Sequence, residues 1–488
     1  MIRYFHILIG LLLFSTSTTA QSTLTLDSLR AMALRNNKQL AISHTAIEKA
    51  HNERRAARTA YYPKFNALAT YQRTNNEISI LNNKQKGALS GMGTALTGNF
   101  NAAAQQIVAQ HPDLAPLVEA MGAPLGQAGA ALDQLGQNIV DAFRTDTRNL
   151  GAATIMLTQP LYMGGKLKAY NRITQYTEQM AGIQLTADQQ SVLLSVDRAY
   201  WQVISLTHKQ KLALSYRDML RHMESDIHKM VAEGVATRAA ALSVSVKLNE
   251  AEMSLTKVEN GLSLSRMLLY QLCGLPMDAD VRLYDEQTDE LAVDTTDVTP
   301  NISEAMTERP ELQMLDYAID IYHEKVKLER SAYHPQLALT GGYLTTYPGL
   351  TNGFEKRFRG TWYAGLTLNI PLWNWGETRY KVRAAQADML MASLRREDAR
   401  QKVELQVRQS ALQVNEANKK LRLSLSHLQK AEENLRTARI GFQEGVINAS
   451  DVLAAQTAWL QANSDKIDAQ IDIRLARAAL RHATGVMP

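Results

Sequence analysis

The sequence contains an internal duplication, and each copy includes a very long helical stretch. Three pairs of landmark residues recur at an offset of 211 residues: Pro160 and Pro371, Gly234 and Gly445, and Gly274 and Gly485. No proline occurs from about 166 to 234, nor from about 377 to 445. Because an α-helix rises 1.5 Å per residue, roughly 65 residues span about 100 Å. A single globular core does not require such a helix, so the duplication predicts an elongated protein.

Apolar residues in both stretches recur at alternating spacings of three and four, which is the pattern of a coiled-coil seam. In the second stretch this seam includes Leu421, Leu428 and Leu435. Each stretch ends at a Glu-Gly-Val sequence, and a second helical segment then runs to Gly274 or Gly485. Glycine permits the positive φ that a tight reversal needs. Each half is therefore predicted to form one antiparallel helical hairpin, turning at 234 or at 445.

Four shorter segments have the two-residue period of β-strands. In the segment 360–371, Trp362, Leu366 and Leu368 alternate with polar or small residues, so one face is apolar. Weaker versions of this pattern lie at 64–73, 150–159 and 336–346. The chain is predicted to contain four strands of about ten residues.

These elements divide the chain into two repeats and a connector. The predicted segments are a signal peptide at 1–20, a first repeat at 21–276, an acidic linker at 277–300 and a second repeat at 301–488. The linker holds eight acids and one base, and we expect a solvated connector. The first repeat also carries an insertion at 74–149, which we expect to be a long loop between strands, with a loose helix around 114–143.

Composition limits the compartment and the partners. Arg3, an apolar run and a stretch ending Thr-Thr-Ala have the layout of a cleaved secretory signal peptide, with cleavage expected after Ala20. A single cysteine, Cys273, excludes an internal disulfide. The formal charge of +5 is spread along 488 residues without a basic block, so nucleic acid is not an expected partner.

The strand count predicts how the chain meets a membrane. Beyond the signal peptide, no run of about 18 apolar residues occurs, so strands must make any crossing. Four amphipathic strands match the thickness of a bilayer, but an open sheet leaves edges that lipid cannot satisfy. Four strands are too few for a barrel with a lumen, whereas three chains supply twelve. The predicted fold is mainly α with a membrane β-barrel, and the predicted assembly is a homotrimer.

With these elements, the sequence resembles the TolC-like outer-membrane efflux proteins. The resemblance covers essentially the whole mature chain. It rests jointly on the duplicated hairpins, the segments QPLYMGGK and IPLWNWGE, the segment ELQMLDYAI after a proline, and the tip sequence FQEGVINASDVLAAQ. It implies a twelve-stranded barrel in the outer membrane of a Gram-negative bacterium and a helical tunnel, or α-barrel, in the periplasm. It also implies docking to a periplasmic adaptor and an inner-membrane transporter.

The same resemblance assigns roles to the hairpin turns. Asp451 matches the position at which family members place a ring of aspartates that narrows the tunnel entrance; as an alternative, it is only a helix cap, in a capping box with Asn448. Ala454 stands at the family's second ring position. The predicted adaptor-docking tips are two apolar sets beside the turns: Gly234, Val235 and Ala236, and Gly445, Val446 and Ile447.

The family's polar latch is replaced in this sequence. Where relatives place a tyrosine, an arginine and an aspartate that fasten the closed entrance, this chain has Phe442, Ile447 and Ala240. A hydrophobic constriction at Phe442 is one substitute. Which residues hold the entrance closed stays open at the sequence level.

Other classes of function fit the sequence less well. A periplasmic coiled-coil adaptor or structural protein is the main alternative, although duplication and four amphipathic strands oppose it. A general diffusion porin would not need helices of about 100 Å. Catalytic motifs such as GxSxG, HExxH or a Walker sequence do not occur. We therefore expect a channel with no enzymatic activity, no metal site and no cofactor.

Overall fold

The computed structural model describes residues 23–77, 79–144, 147–288, 291–349 and 355–487. The predicted signal peptide lies outside these ranges. The chain divides into two compact units: a helical unit of residues up to 57, 168–330 and 376 onward, and a sheet unit of residues 58–167 and 331–375.

The described residues form eleven α-helices and four β-strands. In chain order the helices are α1 (Leu26–Asn36), α2 (Lys38–Arg58), α3 (Asn83–Ser90), α4 (Met92–Gln110), α5 (Ala115–Ala142), α6 (Lys166–Ala232), α7 (Arg238–Cys273), α8 (Ile302–Glu308), α9 (Pro310–Arg330), α10 (Glu377–Gln443) and α11 (Ala449–Thr484). The strands are β1 (Lys64–Arg73), β2 (Asn149–Met163), β3 (Gln336–Tyr347) and β4 (Arg359–Asn369). None of the described helices is both long enough and apolar enough to cross a membrane.

Two helical hairpins of equal size confirm the predicted duplication. Helices α6 and α10 each have 67 residues, and the returning helices α7 and α11 each have 36. Both returning helices end at a glycine in the left-handed region, Gly274 at φ 70° and Gly485 at φ 81°. Such a glycine cap satisfies the last carbonyls of a helix without a steric cost. The two halves therefore end their helices by the same backbone device.

A buried ion pair fastens the short helix α1 to α6. Arg30 donates from Nε to Asp197 Oδ1 at 2.7 Å and from Nη2 to Asp197 Oδ2 at 2.6 Å. The Asp197 side chain is only 1% exposed and lies among the apolar residues around Tyr200 and Ile204. Two parallel hydrogen bonds from one guanidinium are the strong, geometrically specific form of this pair. Asp197 therefore depends on Arg30 for its charge compensation.

The four strands form one antiparallel sheet in the order β1, β2, β3, β4. One cross-strand row joins Ala67, Ile155, Tyr343 and Trp362, and a neighbouring row joins Phe65, Leu157, Gly341 and Ala364. The opposite face is more polar, as in the row Lys64, Thr158, Thr340 and Gly365, although it also holds Leu68, Met156 and Leu344. Because side chains alternate between faces along a strand, this register gathers most of the apolar residues on one face. The predicted amphipathic sheet is confirmed.

The predicted strand at 150–159 was too short. Strand β2 continues past Pro160 to Met163, with a register shift against β3 between Pro160 and Tyr162. Proline has no N–H to give to the ladder, and such a residue is tolerated at a bulge. The strand therefore continues through the register shift at Pro160, where the sequence pattern predicted that it would end.

The expectation of a loop at 74–149 was wrong, because most of this insertion is helical, although the helix expected around 114–143 is confirmed as α5. It contains α3, α4 and α5, with α4 and α5 packed as an antiparallel pair. Alanine has the highest helix propensity, and alanine and glutamine recur through these segments. Three of its glycines, Gly93, Gly129 and Gly136, lie where two helices approach closely.

The acidic linker is packed more closely than a solvated connector. Leu283 and Leu291 are buried in the cluster that contains α1 and the middle of α6. Glu286 is also buried, and its Oε1 accepts a hydrogen bond from Arg266 Nη2 at 2.8 Å. Two buried leucines and a paired carboxylate therefore attach the linker to the helices. The number of acidic residues in the linker did not indicate these contacts.

Candidate functional site at the hairpin tips

The two hairpin turns have the same hydrogen bonds at the offset of 211 residues. Val235 N donates to Met230 O at 2.9 Å, and Val446 N donates to Gly441 O at 2.8 Å. The preceding glycines also match, since Gly234 N and Gly445 N each donate three residues back, at 3.1 Å. A 6→1 hydrogen bond that encloses a 5→2 hydrogen bond is the Schellman motif.

The turns require glycine because of their backbone angles. Gly234 has φ 78° and Gly445 has φ 74°. A side chain in this left-handed region costs roughly 1 kcal/mol or more, whereas glycine adopts it freely. The prediction that these two glycines reverse the chain is confirmed.

The helices restart differently after the two turns. Thr237 Oγ1 accepts a hydrogen bond from Ala240 N at 3.2 Å and so caps α7. Asn448 makes no side-chain cap to α11, so the predicted capping box with Asp451 is wrong. The Asp451 amide instead donates to the main-chain carbonyl of Asn448 at 3.1 Å. The Asp451 side chain is exposed.

The two tips of one chain pack against each other through an apolar cluster, here called the tip cluster. Its buried members include Leu220, Ile227, Val244, Leu435, Ala438, Val452 and Leu453, drawn from all four hairpin helices. Several of these residues belong to the seam predicted from the spacing of apolar residues. The tips are therefore held together by the same side chains that form the coiled coil.

The structure divides the predicted docking residues into two groups. Val235 is 69% exposed and Val446 is 82% exposed, and each follows the glycine of its turn. Ala236 and Ile447, one position later, are partly buried and pack against the tip cluster. Of the six predicted docking residues, the two valines present exposed apolar side chains.

The three positions of the replaced latch lie together. Ala240, Phe442 and Ile447 all line one cavity of about 400 Å³ between the two tips, and all pack against the tip cluster. Ile447 also lies over Gly441, where an added Cβ would be 2.6 Å from Ile447 Cδ1. The sequence left these positions without an assigned contact. We call these three apolar side chains, which line one cavity and pack against the tip cluster, the apolar latch.

Asp451 lies in the first turn of α11, away from the tip cluster. Its neighbour in the cluster is Val452, which is buried, whereas Asp451 and Ala454 are exposed. Residues three apart share one side of a helix. The two positions that the resemblance assigns to a narrowing ring therefore share a free side of α11.

A buried glutamine in the tip cluster was missed by the sequence analysis. Gln456 is 2% exposed, and its Nε2 lies 3.7 Å from Met223 Sδ. Its Oε1 has no hydrogen-bond partner among the described residues. It borders a second cavity of about 730 Å³, with Phe442 on another wall. Its spacing of four from Val452 was the available signal, since that spacing places both on the buried side of α11.

Replacing Gln456 with leucine should stabilise the closed tips. The substitution removes a buried carbonyl oxygen without a partner, and such a group costs roughly 1–3 kcal/mol. We expect slower thermal inactivation of the detergent-solubilised protein than for wild type. Gln461→Leu, at an exposed position of the same helix, is the matched control and should change this rate little. Faster inactivation of Gln456→Leu would mean that its carbonyl has a bound partner, such as water.

No cluster of three or more His, Cys, Asp or Glu side chains suited to a metal ion occurs within the described ranges. The site consists of the buried tip cluster, the exposed side chains of Val235 and Val446, and the exposed carboxylate of Asp451. This chemistry fits contact with other proteins and passage of solutes.

Comparisons with known proteins agree with the geometry. Residues 29–275 and 301–486 match the family described as outer membrane efflux protein. The outer membrane protein TolC of Vibrio cholerae is 25% identical over 360 residues, which cover 70% of this chain and 77% of that protein. The two matched ranges correspond to the two repeats.

Two solved structures share the fold. A membrane protein from Pseudomonas aeruginosa has a TM-score of 0.71 at 17% identity, covering 94% of this chain and 90% of that chain. The outer membrane protein VceC from Vibrio cholerae has a TM-score of 0.69 at 15% identity, covering 94% and 96%. The duplicated hairpins, the antiparallel sheet and the family match together show that this chain belongs to the outer membrane efflux protein family, as an efflux exit duct of the outer membrane with a helical tunnel in the periplasm.

Proposed function

We propose that three copies of this chain form a passive conduit that an inner-membrane transporter drives through a periplasmic adaptor. The observation that carries this proposal is the four-stranded sheet, most of whose apolar residues fall in register on one face. The chain itself performs no chemical step.

The open edges of the sheet support the trimer. In the described part of the chain, β1 and β4 each pair on one side only. Unpaired backbone groups in lipid cost several kcal/mol each, so a sheet in a membrane closes on itself. Three copies supply twelve strands; at about 4.8 Å between strands and a tilt of about 40°, the barrel is about 24 Å across. Such a barrel leaves room for a solute pathway.

Aromatic side chains near the ends of the strands support contact with lipid. Trp362 on β4 and Phe65 on β1 lie on the apolar face and are largely exposed in the single chain. Trp373 and Trp375 follow β4, are also exposed, and stack edge to face with ring centroids 5.8 Å apart. Tryptophan favours the interface between water and membrane. We assign this pair to the periplasmic border of the barrel.

The exposed valines of the tips support the adaptor. Val235 and Val446 give each chain two equivalent apolar points beside a left-handed glycine, and a trimer carries six. An adaptor built on helical hairpins would bury them. Docking that draws the tips apart would separate Ile447 and Phe442 from the tip cluster and open the entrance.

The free side of α11 supports a role for Asp451 in the tunnel. In a trimer, three Asp451 carboxylates face one another around the axis and favour cations. Phe442 contributes to closure through the apolar latch of its own chain. The entrance then combines an electrostatic filter with a hydrophobic closure.

Replacing Asp451 with asparagine tests the conduit and its entrance together. In a planar bilayer, wild type should give small, cation-selective currents. The variant should lose most of the preference for cations, because three charges leave the narrowest section. Single-channel conductance and reversal potentials across a cation series measure both quantities.

Glu444→Gln is the matched control, since it removes an exposed carboxylate from the same turn and should leave selectivity unchanged. Large currents that ignore Asp451→Asn would place the filter elsewhere while keeping the conduit. An absence of any current from a purified, folded protein would refute the conduit itself.

A further inference from the structure

The insertion between β1 and β2 forms a rigid helical hairpin, here called the α4/α5 hairpin. Helices α4 and α5 cross at Gly93 and Gly129, where a Cβ added to Gly93 would lie 1.7 Å from Gly129 O. Asp133 on α5 caps the start of α4, accepting from Gly93 N at 2.6 Å and Thr94 N at 2.9 Å. The hairpin is therefore an ordered part of the fold.

One side of this hairpin is apolar and uncovered. Its large side chains are between 40% and 60% exposed: Met92, Leu96 and Ile107 on α4, and Leu117, Met121 and Leu135 on α5. At 100° per residue, each set forms one stripe, displaced about 80–100° from the buried stripe of its helix. Because α4 and α5 are antiparallel, the two exposed stripes lie on the same side of the pair. The six residues thus form a single surface, here called the apolar face.

The charges of the hairpin restrict what can cover the apolar face. No lysine or arginine occurs from residue 87 to residue 143, and α4 has no charged residue at all. Amphipathic helices that lie on membranes usually carry basic residues beside the apolar side, to meet anionic headgroups. A lipid surface is therefore a poor match, and an uncharged apolar surface is a better one.

The position of the hairpin supplies such a surface. The strand ends that join the long helices lie at one end of the sheet, and the insertion leaves from the other end. Its base continues the sheet, with Thr74 N donating to Arg148 O at 2.8 Å, and Glu77 pairs with Arg144 at 3.4 Å. Strand β1, which carries the hairpin, is an edge strand and so lies beside the neighbouring copy in a closed barrel.

We propose that the apolar face binds the same face of the other two copies and that the three hairpins together cover the outer mouth of the channel. This proposal rests on the trimer proposed above. Helix α5 has 28 residues and is about 42 Å long, which exceeds the roughly 24 Å width of the barrel. Three hairpins tethered around this mouth meet at a high effective concentration, so even a modest apolar contact is occupied.

Disulfide trapping tests the proposal. Met121→Cys places a thiol on the apolar face, and Gln127→Cys places one at an exposed position about 120° around the same helix from Met121, outside the apolar face. The native Cys273 is completely buried, and burial raises the pKa of its thiol to about 11, so it does not compete. Under mild oxidation in outer-membrane vesicles, Met121→Cys should give at least roughly tenfold more covalent dimer than Gln127→Cys. Leu117→Cys repeats the test at a second position of the apolar face.

The outcomes separate this proposal from the trimer. Native mass of the detergent-solubilised protein reports the trimer independently of the hairpins. A trimer in which neither Met121→Cys nor Leu117→Cys is trapped, or in which Gln127→Cys is trapped equally well, overturns the hairpin contact alone. A monomer overturns the trimer and the hairpin contact with it.

Discussion

Replacing Ile447 with aspartate should open the entrance of the isolated channel and raise its single-channel conductance several-fold. Ile447 packs over Gly441 and against the tip cluster, so the new carboxylate would lie among apolar side chains. Leaving a charge there costs several kcal/mol, and each 1.4 kcal/mol shifts a two-state equilibrium about tenfold. The closed tips would be disfavoured, and conductance in a planar bilayer measures the change.

Val446→Asp is the matched control one residue away. Val446 is 82% exposed, so a carboxylate there meets water and should leave the conductance of the isolated channel unchanged. The same variant should weaken binding of the adaptor, because it puts a charge on the docking surface. Ile447→Ala, a milder change, should give a smaller opening if the aspartate variant folds poorly. Equal conductance in wild type and both Ile447 variants would show that the apolar latch does not hold the entrance.

Replacing Arg30 with methionine should cause the largest loss of stability among single substitutions outside the tips. The change leaves Asp197 buried without its bidentate partner, and breaking a buried pair in this way costs about 3–5 kcal/mol. Arg481 Nη2 lies 4.0 Å from Asp197 Oδ2, which is too far to replace two direct hydrogen bonds. The half-life of the folded protein at elevated temperature should fall by more than tenfold.

Two further variants separate the buried charge from lost packing. The double variant Arg30→Met with Asp197→Leu removes both charges and should recover most of the lost stability. Lys420→Met breaks an ion pair with Asp472 that is about half exposed, and it should cost less than about 1 kcal/mol. If Arg30→Met unfolds no faster than Lys420→Met, the pair contributes nothing beyond a surface contact.

The channel architecture was readable in the sequence because its parts are long and periodic. The helical stretches ending at Gly234 and Gly445 repeat one pattern over many turns, and the segment 360–371 alternates over ten residues. Long periodic patterns leave little choice between helix and strand. The turns were also readable, because each helical stretch ends at the same Glu-Gly-Val sequence, at an offset of 211 residues.

The insertion was misread in part because three of its glycines, Gly93, Gly129 and Gly136, lie against residues that are distant in the sequence. Gly93 looks like a helix breaker until Gly129, 36 residues later, is placed against it. The acidic linker was misread for a similar reason, because Leu283 and Leu291 find their apolar partners on distant helices. The composition of a short segment cannot predict contacts of this kind, because the partner residues lie elsewhere in the chain.

The sequence alone determined the duplication, the four amphipathic strands, the two turns and the family, because each can be recognised from the order of residues without knowing which helix faces which. Only the tertiary structure decided that Ala240, Phe442 and Ile447 line one cavity between the tips and that Gln456 is buried beside Met223. It also decided that the six apolar residues of the α4/α5 hairpin share one side. These facts depend on which helix faces which, and that choice is made by packing between residues that the chain holds far apart.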